Sequence, residues 1–159
     1  MSYFFTADEH LGHKNIIDYC DRPFATVEEM DDEIIRRHNE VVKEGDTVYH
    51  LGDFTMKKGA EAQHYIGRLN GNHIFIKGSH DYWMEENAPT MIEKMIGYNY
   101  FVMCHYPMKS WPRSFHGSLQ LFGHCHGRMT EDKNQMDVGV DTNNFYPYSF
   151  KDIINKLKK

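Results

Sequence analysis

The sequence predicts an α/β fold in which mixed β-sheets pack together with helices outside. Three observations carry this. The first half alternates short apolar runs rich in β-formers with helical patterns. The second half is mostly strand-like, closed by one helix. Five of the expected strands end in, or run directly into, metal-capable side chains.

Taken in order, "SYFFTAD" reads as a buried strand and "HKNIIDYC" as a short helix. Thr26 to about Val42 is the clearest helix. Thr26 and Glu29 make a capping box, and Met30, Ile34, Ile35, Val41 and Val42 recur at helical spacing. "DTVYHLGD" follows the Gly45-Asp46 turn as the second strand, residues 60–69 read as helix, and "HIFIKG" is the third strand. A helix is expected over residues 84–96. "YNYFVMCHY", "SLQLFGH" and "MDVGV" read as further strands, and "SFKDIINKLKK" as a final helix with Ser149 at its N-cap. No linker, repeat or shift in composition interrupts the chain, so residues 1–159 are expected to form a single domain.

Composition narrows the function classes. The chain is 40% hydrophobic and 26% charged, ordinary for a globular protein, and its formal charge of −5 argues against broad nucleic-acid binding. No apolar run approaches the ~20 residues of a membrane span. "MSYFFTADEH" lacks the pattern of a signal peptide, so none is expected. Three cysteines without paired spacing fit reduced thiols of a cytoplasmic protein. Eleven histidines are the outlier, several beside aspartates and glycines.

Those histidines gather where strands stop. The first strand leads into Asp8 and His10, the second into Asp53, the third into His80 and Asp81, the fourth into His105, and the fifth into His124 and His126. Parallel strands would bring these groups to one edge, where sites of α/β sheets lie. Period two puts His124 and His126 on one side of an extended segment and turns Cys125 into the core. Mixed imidazole and carboxylate ligands suit Zn, Mn, Fe or Ni rather than calcium. Two glycine-opened turns compete for the third position. Gly71-Asn72-His73 precedes its strand and reads as the turn leading in, whereas Gly78-Ser79-His80-Asp81 follows the strand and is correctly placed.

The order "DEH", "GD", "GSHD", "H" in "CHYP" and "GHCH" resembles the calcineurin-like metallophosphoesterases, over residues 4 to about 150. "RPF" (Arg22 to Phe24) and "GVD" (Gly139 to Asp141) add to the likeness. The resemblance implies two sheets packed as an αββα sandwich. It also implies two divalent transition-metal ions, manganese first among them, with Asp8, His10 and His126 on one, His105 and His124 on the other, and Asp53 bridging. A hydroxide held between the metals would attack phosphorus. His80 would act as acid or phosphate donor, with Asp81 orienting its ring. Ser79 stands where the family has a metal-binding asparagine; its hydroxyl is a shorter and poorer donor, so the second metal is expected to bind more weakly.

Among the remaining polar residues, His13 is a candidate substrate contact, and Arg22 either clamps phosphate or caps the preceding helix. His38, His64 and His116 are expected at the surface, and His50 in the packing. Tyr106, Trp111 and Phe115 sit beside His105 as a hydrophobic wall or a stacking surface. The leading expectation is a phosphoesterase acting on a small phosphorylated, nucleotide-like substrate in an open site, with a phosphodiester favoured over a monoester. The alternative is a metal-binding or scaffold protein that keeps the fold without catalysis, for which Ser79 is the one supporting feature.

Overall fold

The computed structural model describes residues 1–157, so the last two residues of the expected closing helix lie outside the described residues. The chain runs β1 (Tyr3–Thr6), α1 (Asn15–Tyr19), α2 (Val27–Val41), β2 (Thr47–Leu51), α3 (Gly59–Gly67) and β3 (Asn72–Ile76). It continues as β4 (Met91–Ile96), β5 (Asn99–Cys104), β6 (Leu119–Phe122), β7 (Gln135–Asp137), β8 (Tyr148–Ser149) and α4 (Phe150–Leu157). Two four-stranded mixed sheets result, in the orders β3-β2-β1-β8 and β4-β5-β6-β7. In the first sheet β1, β2 and β3 are parallel and β8 antiparallel; in the second β5, β6 and β7 are parallel and β4 antiparallel.

The sheets face each other across one apolar layer. Phe5, Tyr49, Leu51 and Ile76 from the first meet Phe101, Met103, Leu121 and Met136 from the second, and the Phe5 and Phe101 rings stack at 5.5 Å. Each large apolar side chain buried there contributes roughly 1.5–3 kcal/mol over its exposed state. A second cluster, with Leu11, Ile16, Met30, Ile34 and Phe54, sits between the first sheet and the helices. Thr26 caps α2, its hydroxyl accepting from the Glu29 amide at 3.1 Å, and the helix presents Met30 and Ile34 to that cluster. Ser149 caps α4 in the same way, accepting from the Asp152 amide, and Ile153 of α4 reaches the inter-sheet core. Among the described residues, no helix is long and apolar enough to cross a membrane.

Residues 84–96 correct the expectation of a helix. Residues 91–96 are instead the edge strand β4, paired with β5 from Met91↔Cys104 to Ile96↔Asn99. Pro89 bars a helix interior there. Ile92 and Ile96 pack on the core while Glu93 and Lys94 stay in solvent, so tertiary pairing overrides the local preference of Glu, Lys and Met. "MDVGV" yields only the short β7; its last residue, Val140, begins a 3-10 turn.

Candidate metal centre

The ligand edge is built by loops that hydrogen-bond to one another beyond the strand ends. The Asp8 amide donates to Gly52 O, the His10 amide to Asp53 O, and the Gly123 amide to His105 O, each at 3.0 Å. Five of the six candidate ligands lie in left-handed backbone: Asp8 (φ 57°), His10 (φ 51°), Asp53 (φ 56°), His124 (φ 69°) and His126 (φ 50°). For non-glycine residues this costs about 1–3 kcal/mol each and concentrates at functional sites. It also corrects the period-two reading. β6 ends at Phe122, residues 123–127 turn rather than extend, and Cys125 is half-buried instead of core.

The six side chains converge in two groups. Ligand atoms of Asp8, His10 and His126 lie within 4.8 Å of one another, and so do those of Asp53, His105 and His124. Asp53 faces both: its Oδ2 is 3.6 Å from His10 Nε2 and 3.3 Å from His105 Nε2. The close approach depends on glycine. A Cβ on Gly78 would stand 2.4 Å from the Asp53 carboxylate, and one on Gly52 would stand 2.5 Å from the His105 ring.

The donor set fits transition-metal ions. His10 Nε2 and His105 Nε2 are buried without a hydrogen-bond partner, a costly state unless something else meets the lone pair. His105 Nδ1 donates to Leu51 O at 2.8 Å, which leaves Nε2 as the basic nitrogen toward Asp53. His126 Nδ1 likewise donates to Asp141 Oδ2 at 2.7 Å, freeing its Nε2. Without a cation, burial pushes the Asp8 carboxyl up to about 7 against the pull of His126 and His105. Burial also acts on Asp53, but His105 beside it outweighs that and holds its carboxyl well below the usual range. Metal binding requires deprotonated carboxylates and neutral imidazoles, the forms these pairings favour at Asp53 and, through burial, at His10, which is lowered to about 3.

In the sequence Asp141 stands out only as the last letter of "GVD". In the structure it orients His126 and is itself clamped by Arg22, with Nε at 2.8 Å and Nη2 at 2.9 Å. Arg22 also donates to the backbone oxygens of Glu9 and Asp8. Its guanidinium is therefore a buried brace behind the first ligand loop, and not the phosphate clamp that is one of the two roles read from the sequence.

The third motif splits. Ser79 is exposed, and its hydroxyl donates to Asp53 Oδ2 at 3.1 Å. The His80 ring lies 5.6 Å from that of His10 and 6.3 Å from that of His13, so both histidines adjoin the centre. Asp81 does not orient His80. Its two oxygens accept from the amides of Asp53, Phe54 and Gly78 and from Trp83 Nε1, so it anchors the Asp53 loop from beneath. Its place among catalytic groups is corrected to a positioning one. Gly71 (φ 108°) turns into β3 as expected, and His73 faces away from the centre toward His50.

No protein-family model matches the chain. An uncharacterized protein of Methanocaldococcus jannaschii is 33% identical over 167 aligned positions, covering 98% of this chain and 91% of that one. The solved structure of a protein of unknown function from Aquifex aeolicus superposes with a TM-score of 0.74 at 22% identity, covering 98% of both chains, and shows the same fold. An archaeal phosphodiesterase of known structure is 19% identical, with a TM-score of 0.48 over 87% of this chain and 82% of that one.

Proposed function

We propose that the chain is a calcineurin-like metallophosphoesterase, on the motifs "DEH", "GD", "GSHD", "H" and "GHCH" and the convergence of their side chains, and that it hydrolyses a phosphoester, with a diester favoured, using two divalent metal ions held by Asp8, His10, Asp53, His105, His124 and His126. One observation carries the reading: Asp53 Oδ2 stands between two buried, unpaired imidazole nitrogens, those of His10 and His105. When bound, two dications supply Lewis acidity, an activated water, and positive charge beyond what two carboxylates neutralise.

The chain's own groups do the rest. Asp141, braced by Arg22, and the Leu51 carbonyl fix which nitrogens of His126 and His105 face the centre. His80 stands beside His10 with Nδ1 enclosed, as the candidate that protonates the leaving oxygen or donates to phosphate. His13 offers a second imidazole to the phosphate. Exposed His124 and Ser79 leave the edge open to a substrate with bulk on either side of phosphorus. Cys20, Cys104 and Cys125 are free thiols, in keeping with a cytoplasmic site of action. Manganese is the favoured metal, on the mixed nitrogen and oxygen donor set.

The test is hydrolysis of bis-p-nitrophenyl phosphate and of p-nitrophenyl phosphate with added manganese. Turnover of the diester above that of the monoester supports the reading. Turnover of the monoester alone would make the protein a monoesterase. The second reading, a metal-binding protein without catalysis, draws on Ser79, whose hydroxyl meets Asp53 where an amide oxygen would reach a metal. It gains if calorimetry finds manganese bound and neither ester is hydrolysed.

A further inference from the structure

Four tyrosines are exposed. Tyr98 sits at the tip of the β4–β5 turn, and the other three are Tyr19 (62% exposed), Tyr82 (54%) and Tyr106 (45%). Each of these three stands against a different part of the centre. The Tyr106 ring is 4.8 Å from that of His124 and 4.9 Å from that of His105; Tyr82 lies 6.3 Å from His80, and Tyr19 lies 6.4 Å from His13. A solvent-facing aromatic gains little where it stands, yet three of them frame the candidate metal centre.

The backbone that carries Tyr106 is also pinned. Buried Gln120 donates to the Tyr106 carbonyl at 2.9 Å and accepts from the Met108 amide at 3.1 Å, while buried Gln135 donates to the Met108 carbonyl at 2.9 Å. A ring on a fixed backbone and packed against two imidazoles loses less freedom when a ligand stacks on it. The charge pattern points the same way. Although the chain carries 23 aspartates and glutamates, residues 94–130 contain none, and this stretch holds Tyr106, Lys109, Arg113 and Arg128. Arg128 donates to the Tyr19 carbonyl, tying the turn of His124 and His126 to the Tyr19 side. Lys58 lies over the Tyr82 ring at 5.6 Å.

We infer that the centre accepts a phosphodiester with a nucleoside as one ester group, its base stacking on the tyrosine rim, on Tyr106 above all, and its remaining negative charge lying toward the acid-free segment 94–130. This rests on the phosphoesterase reading. A small phosphomonoester would leave the rim untouched, whereas a diester has arms on both sides of phosphorus, as the tyrosines do around the centre.

The experiment compares thymidine 5′-(p-nitrophenyl phosphate) with methyl p-nitrophenyl phosphate, which share a leaving group and differ in the nucleoside. The nucleoside ester should have a kcat/KM about tenfold higher, expressed in KM. Tyr106→Leu should bring the ratio close to one, and Tyr98→Leu, remote from the centre, should leave it unchanged. A ratio near one in the parent chain, or a ratio indifferent to Tyr106→Leu, overturns the inference. Calorimetry of the manganese-loaded protein with thymidine 5′-methyl phosphate against dimethyl phosphate separates this from the reaction itself. Tyr106-dependent preference for the thymidine ester without turnover of either p-nitrophenyl ester upholds the rim and sinks the hydrolysis. No preference and no turnover sinks both.

Discussion

Two imidazole clusters, one where loops from both sheets meet and one on the helix side of the first sheet, differ in how their nitrogens are satisfied. At the ligand edge, His10 and His105 each keep a buried Nε2 with no hydrogen-bond partner. On the helix side, His50 Nδ1 meets Glu9 Oε1 at 2.5 Å, His50 Nε2 meets His73 Nδ1 at 3.0 Å, and His38 Nε2 meets Asn70 O at 2.9 Å. Burial lowers His38 and His50 to about 3 and His73 to about 4, and the one carboxyl in contact, that of Glu9, is itself pushed up to about 8 by burial, whereas the Asp53 carboxylate raises His105 to about 8. A gathering of histidines thus does not by itself mark a metal site. What sets the candidate centre apart is unpaired nitrogens converging on a shared carboxylate, and the second cluster has no such convergence.

The sharpest way to break this contrast is Asp53→Asn. The carboxylate shared by both groups is lost, so bound metal should fall below one equivalent by elemental analysis, and diesterase activity should drop by roughly 10³-fold or more. Retention of two metals would remove Asp53 from its bridging place.

Arg22→Met tests the brace behind His126. It leaves Asp141 buried beside an unsatisfied neighbourhood, so denaturant unfolding should show a loss of about 3–5 kcal/mol. Metal affinity at the Asp8, His10 and His126 group should weaken by about 10–100-fold. A phosphate clamp would instead raise KM and leave stability alone.

Ser79→Asn sharpens the difference between the two metals. An amide oxygen near Asp53 should tighten the second manganese by about tenfold in a calorimetric titration, with little change in the first. Two equally tight sites in the unaltered chain would contradict the expected asymmetry.

The smallest effect is expected from His38→Gln. The His38 imidazole has an ordinary value of 6.5 and is lowered to about 3 on folding, chiefly by burial. The unfolded chain therefore binds the proton more readily. The stability at stake is fully present above pH 6.5 and is lost as pH falls toward about 3. His38→Gln should flatten that acid limb in thermal melts across pH 4–7 while leaving the metal content unchanged. A change in metal content would join the two clusters that the hydrogen bonds keep apart.

The candidate ligand residues are legible in the sequence because each is a polar side chain placed just after a β-rich run, and strand ends are easy to recognise. The capping box of α2 is legible for the same reason: Thr26 and Glu29 act within one turn. Asp81, Arg22 and His38 depart from the sequence expectation because their roles come from partners distant in the chain. Asp81 serves amides of residues 53 and 54, Arg22 serves Asp141, and His38 meets Asn70 beneath α2. Period two fails at His124 and His126 because a left-handed turn, not a strand, carries them. The helix expected at β4 fails because an edge strand draws its stability from pairing with β5, which local propensity does not report.

By itself, then, the sequence determined the alternation of elements, the resemblance to a metallophosphoesterase and which side chains are available to hold metal. All of these depend on residue type and short-range spacing. Only the tertiary structure decided which imidazole nitrogens stay unpaired, which carboxylate faces both groups, and which charged residues are braces. Those outcomes depend on hydrogen bonds closed between loops far apart in the chain, and a linear pattern carries no record of which buried donor finds its acceptor.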